Sequence, residues 1–178
     1  VGTLRRTTGA GQAYFSCGLT NTGTLEVQAG RFSVNYDVSN SGHIAVAAGA
    51  KVDFNNTNLL QPGTSFSGAG TIQLNSYVTI ASGVSLSGAG SMVLSASVTG
   101  TITGTGIVAE YLAGPCTIAG SVTLSGGMAG NVTVAAGGTL VIDGIGQTYY
   151  GWGHALTGAT LTNYGTVVWK AGNVTGFK

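Results

Sequence analysis

The chain has 178 residues and a net charge of +1; charged residues make up only 6%, and glycine fills 32 positions. That length allows one domain with a real core, and the 43% hydrophobic content excludes a disordered chain. The weak charge excludes a nucleic-acid footprint, no apolar run reaches the 18 or more residues of a membrane-spanning helix, and glycine lacks the three-residue period of collagen.

Residues 1–20 read as irregular, a capping coil or a lead-in, with Arg5 and Arg6 beside Thr7 and Thr8. Residues 21–54 hold two clean units, opened by Asn21-Thr22-Gly23 and Asn40-Ser41-Gly42. Asn and Gly both tolerate the left-handed angles of tight corners. Residues 55–66, with Asn55, Asn56, Asn58 and Pro62-Gly63, read as a loop that lengthens one coil. The most regular tract is 67–106, where Ser-Gly-Ala-Gly occurs at Ser67 and again at Ser87. Residues 107–118 interrupt the pattern with Glu110, Tyr111 and Pro115, and it returns over 119–144. Residues 145–157 gather Tyr149, Tyr150, Trp152 and His154 in a glycine-punctuated segment, after which Leu161 to Trp169 restores the pattern.

The recurring unit is Gly, any residue, aliphatic, any, apolar, any, small, Gly. Gly23, Leu25, Val27, Ala29 and Gly30 fit it, as do Gly42, Ile44, Val46, Ala48 and Gly49. In Gly130 to Ile142, Val132 and Val134 alternate with Asn131 and Thr133, then Leu140 and Ile142 follow a small corner. Period-two alternation marks a strand with one buried face. Gly23 to Gly42 and Ser67 to Ser87 are steps of about 20 residues, too short for a crossover helix between parallel strands. The chain must then coil, each strand stacking on its equivalent one turn earlier. The fold expected is an all-β, single-domain parallel β-helix (β-solenoid) of about eight or nine coils, forming a rod roughly 40 Å long. An antiparallel sandwich also gives short alternating strands, but it does not explain corners that repeat in kind and position. Residues 1–20 form the cap or lead-in, 21–144 the regular coils, and 145–178 the aromatic-rich segment and last coil.

Stacked coils bring identical positions together, where like charges repel, so neutral hydroxyl and amide ladders fit this fold. Cys17 and Cys116 are about five coils apart, roughly 24 Å, too far for a disulfide. Two separate buried thiols are expected. The start at Val1, without an initiator Met, suggests a mature product or a segment of something longer.

The acids are Glu26, Asp37, Asp53, Glu110 and Asp143. Only Asp37 and Asp53 could fall near each other, on neighbouring units, and all five read as solvated or corner acids, so no glycosidase pair is expected. His43 and His154 are far apart, no Cys/His spacing suits zinc, and no phosphate loop or nucleophile elbow occurs. The reading is not an enzyme, with no cofactor and no metal. Thr101-Ile102-Thr103 and Thr160-Leu161-Thr162 have the local form of a water-ordering ladder but do not recur at the coil spacing, which argues against an ice-binding face. Tyr149, Tyr150, Trp152 and His154 are the candidate contact residues, an aromatic platform for a glycan or a protein.

Leu-Thr-Asn-Tyr-Gly-Thr-Val-Val-Trp at Leu161, Asn-Thr-Gly-Thr-Leu at Asn21 and Ser-Gly-Ala-Gly-Thr-Ile at Ser67 resemble the repeats of large secreted bacterial surface proteins. These are the filamentous adhesins and autotransporter passenger regions, which form right-handed β-solenoids. The resemblance covers most of residues 21–176 and carries over no catalytic residue. It implies an extracellular or cell-surface scaffold in a fibre or adhesin, associating end to end or laterally. The alternative is a glycan- or receptor-binding fibre tip that uses the 145–157 aromatics. Neither reading involves nucleic acid or membrane insertion.

Overall fold

The computed structural model describes residues 2–144, 154–171 and 174–175, with side-chain surroundings for 2–144 and 158–171. The described residues form nineteen short strands and no helix. Strand pairing is parallel throughout, and each strand stacks on its equivalent in the previous turn. The molecule is a β-solenoid with about seven complete turns among the described residues, slightly fewer than the eight or nine expected.

Three faces surround the core. Face one stacks Thr3–Arg6, Thr24–Val27, His43–Val46 and Ser65–Ser67. Face two runs the length of the rod, from Gln12–Phe15 through Arg31–Val34 and Lys51–Phe54 to Thr139–Asp143 and Thr166–Ala171. Face three begins with Leu19–Asn21, Val38–Asn40 and Thr57–Leu60 and continues through Cys116–Ile118 and His154–Asn163. The long strands Thr71–Ile80, Ser91–Ile102 and Ser121–Val134 turn the corner from face two to face three.

Alternation sends every second residue inward, and stacking converts each inward position into a column. Phe32, Val52, Ile72, Met92, Ile107, Val122 and Leu140 form one. Val34, Phe54, Leu74, Leu94, Ala109, Leu124 and Ile142 form the next. All are buried. Full burial of each larger aliphatic side chain contributes roughly 1.5–3 kcal/mol.

The coil length is not constant. The register steps 20 residues from Val52 to Ile72 and from Ile72 to Met92. It then steps 15 from Met92 to Ile107 and 15 from Ile107 to Val122. It lengthens to 18 between Val122 and Leu140 and to 27 between Leu140 and Val167. Residues 107–118, read as an interruption, are therefore a shorter coil of the same stack. Glu110 lies where the register slips by one residue, between Ala109 and Tyr111, and that bulge disguises the alternation. Residues 55–66 are likewise less a loop than the strand Thr57–Leu60 on face three joined by a turn to Ser65–Ser67 on face one. The irregular-looking opening contains Thr3–Arg6, Gln12–Phe15 and Leu19–Asn21, which pair with the second coil on all three faces.

The Asn-x-Gly corners also differ from expectation. Asn21, Gly23, Asn40 and Gly42 have ordinary backbone angles. Asn21 and Asn40 point inward and are buried. Asn21 Nδ2 donates to Asn40 Oδ1 at 2.6 Å, and Asn40 Nδ2 donates to Thr64 Oγ1 and to the Gly42 carbonyl, each at 3.1 Å. The amides are thus held in position by a buried ladder that satisfies their polar groups. Gly42 serves close packing: a Cβ there would lie 2.2 Å from the Gly23 carbonyl oxygen.

Candidate functional site

The densest polar cluster stands on face two. Arg31 stacks directly on Lys51, and Ser33 on Asp53, which stacks on Gln73. Asp53 lies on the outward side of the pleat, yet it is 0% exposed. Arg31 Nε donates to its Oδ2, Ser33 Oγ donates to the same oxygen at 3.3 Å, and Lys51 Nζ lies 3.2 Å from Oδ1. Lys51 Nζ also donates to Gln73 Oε1. The hydrogen bond that Arg31 donates to Asp53 pushes its guanidinium further toward the charged form. Asp53 therefore neutralises two cations that stacking forces together. It is no solvated acid, and no partner for Asp37, which sits at the next corner and accepts from the Thr57 amide at 3.3 Å.

The consequence is testable. Asp53→Asn leaves Arg31 and Lys51 stacked without compensation. Both are partly exposed, so solvent limits the cost to about 1–2 kcal/mol, well below that of a wholly buried broken pair. Urea denaturation at low and high ionic strength checks this: added salt should recover part of the loss in the variant.

Beside the cluster, Asn75 Nδ2 donates to Asn55 Oδ1 at 2.8 Å and Asn55 Nδ2 donates to Asn35 Oδ1 at 3.0 Å, an amide ladder at the corner between faces two and three. On face one, the His43 ring nitrogens bond Ser65 Oγ at 2.9 Å and Ser67 Oγ at 2.8 Å. Both partners are neighbours in the next coil.

Face three is different in kind. Its described strands contain no Asp, Glu, Lys or Arg. The register places Thr101, Thr117, Thr133 and Thr162 in one outward column. The expectation that these threonines do not recur is corrected here: they recur, at steps of 16 rather than 20 residues between Thr101, Thr117 and Thr133. A shallow trough of about 260 Å³ runs along them, lined also by Pro115 and Asn131.

Of the residues singled out from the sequence, Tyr149, Tyr150 and Trp152 lie outside the described residues. His154 opens the strand His154–Asn163, and its side chain too lies outside them. The exposed rings that are described stand elsewhere: Tyr14, Tyr36, Tyr77, Tyr111, Tyr164 and Trp169. Trp169 is in register with buried Ile142 and Tyr111 follows the bulge, so the exposure of these two rings was not readable from the alternation.

The two cysteines are separate, as expected, but only one is buried. Cys116 lies in the core, and Cys17 is exposed at a corner of the first coil. Burial pushes the Cys116 thiol up to about 12. It stays protonated through neutral pH, so iodoacetamide should label Cys17 alone in the native protein and both residues in urea, as read by peptide mass spectrometry. The folded state holds its Cys116 proton after the unfolded chain has lost one, so this group reduces stability as pH rises above about 9.

No protein-family model, curated protein or solved structure matches this chain.

Proposed function

We propose that the chain is a non-catalytic structural segment of a secreted or cell-surface bacterial fibre or adhesin, acting as a scaffold that self-associates. The observation that carries this reading is the parallel stack of the described residues together with a near-neutral net charge. Face two alone joins nine strands along the rod. Coil-to-coil hydrogen bonds and an aliphatic interior resist extension along the axis, while weak net charge gives little colloidal repulsion between rods. The repeat grammar of Asn21 to Leu25, Ser67 to Ile72 and Leu161 to Trp169 supports the same setting.

Immunogold electron microscopy of intact producing cells tests it. Labelled rods or filaments at the surface, reached by antibody without permeabilisation, are the expected result. Label found only inside permeabilised cells overturns the surface reading.

A further inference from the structure

We propose that face three, along the threonine column of Thr101, Thr117, Thr133 and Thr162, binds a linear uncharged glycan. This goes beyond the scaffold reading and does not rest on it.

Three observations converge on that face. The first is the trough, whose floor and sides present the Thr101, Thr117 and Thr133 hydroxyls and the Asn131 amide. Parallel stacking spaces the threonines about 4.8 Å apart in a straight row. Each hydroxyl both donates and accepts, and the amide adds two donors and an acceptor. A ligand with hydroxyls along its whole length can engage such a row repeatedly.

The second is the exposed rings that the register sets before and after the threonine column. Tyr77, 63% exposed, is in register with Ser97, and Tyr111, 41% exposed, with Ser95, both on the side toward face two. Tyr164, 71% exposed, follows the face-three strand on the far side, where its amide donates to the Val134 carbonyl at 2.8 Å. Sugar rings have apolar C–H faces and hydroxyl edges. Tyrosine rings supply the matching apolar surface and a polar tip.

The third is charge. The described face-three strands carry no Asp, Glu, Lys or Arg, and exposed Glu110 beside Tyr111 would repel a phosphate, sulfate or carboxylate. A polyanion would find no counter-charge there. Protein partners favour an apolar centre within a polar rim. Here threonine hydroxyls and the Asn131 side chain line the trough itself, among Gly100, Pro115 and Cys116.

Native gel electrophoresis through matrices containing dextran, galactomannan, xyloglucan or laminarin tests the proposal. We expect retardation by at least one of these. The Tyr77→Ala/Tyr111→Ala variant should weaken it about tenfold or more, and Asn131→Ala should weaken it as well. Tyr14→Ala, on face two, should leave it unchanged. Circular dichroism and melting temperature verify that each variant is folded, since all four side chains are exposed. No retardation in any matrix overturns the proposal, as does retardation that survives the double variant. It also fails if the face-three variants alter only sedimentation, which makes the face a contact between copies. Loss of ice-recrystallisation inhibition alone would reassign the threonine row to ordered water.

Discussion

Gly42→Ala is expected to destabilise the solenoid by about 3 kcal/mol, a drop of roughly 10 °C in melting temperature. The cause is contact between coils. An added Cβ would meet the Gly23 carbonyl oxygen at 2.2 Å, the Gly23 amide nitrogen at 2.8 Å and the Thr22 carbonyl carbon at 2.9 Å. All three are backbone atoms held by the ladder: the His43 amide donates to that same Gly23 carbonyl at 2.7 Å. No side chain can swing aside, so the coils must separate or the ladder must break. Each coil touches only its neighbours, so the damage should be local. Hydrogen exchange should lose protection first at Leu25, Val27, Ile44 and Val46. Gly137→Ala is the contrast. Its Cβ meets nothing within 4 Å, and the cost is that of a positive φ of +82°, about 1 kcal/mol. Equal losses in the two variants would refute the close-stacking explanation.

Leu94→Ala should cost about 3 kcal/mol in equilibrium denaturation, again with the greatest loss of protection nearby. Leu94 is 0% exposed and stacks between Leu74 and Ala109. One neighbour in its column is already small. Truncating Leu94 would put two alanines in succession and leave a void that the rigid ladder cannot close. Thr117→Ala, on the surface of face three, should change stability by less than about 0.5 kcal/mol.

The contrast between these sites explains what the sequence could and could not reveal. Alternation in Val132, Val134, Leu140 and Ile142 was readable because it is a property of one strand, and all four are buried. The coil was readable because Gly23 to Gly42 and Ser67 to Ser87 repeat at one step. The change of step was not. A fixed 20-residue period hides the partnership of Thr101, Thr117 and Thr133, which the structure places one coil apart at 16 residues. The burial of Asp53 was equally hidden. Its own strand turns it outward, and the side chains of Arg31, Ser33 and Gln73 on the stacked strands, with Lys51 two residues before it, surround it. Asn21 and Asn40 were noticed for the right residues and the wrong reason. A corner preference is local chemistry, whereas a buried amide ladder exists only between coils. Cys17 shows the same limit, since a corner of the first coil lacks the cover that Cys116 receives deep in the stack.

The stacking register is the central claim, and disulfide trapping tests it most directly. In a Cys17→Ser/Cys116→Ala background, Thr117→Cys and Thr133→Cys are introduced together. The two positions face each other on adjacent parallel strands. Their Cα atoms are then about 4.8 Å apart, within the range a disulfide spans. Mild oxidation should close this pair rapidly. Thr101→Cys with Thr133→Cys, two coils apart at about 9.6 Å, should stay reduced. Failure of the first pair, or equal closure of the second, would contradict the solenoid register.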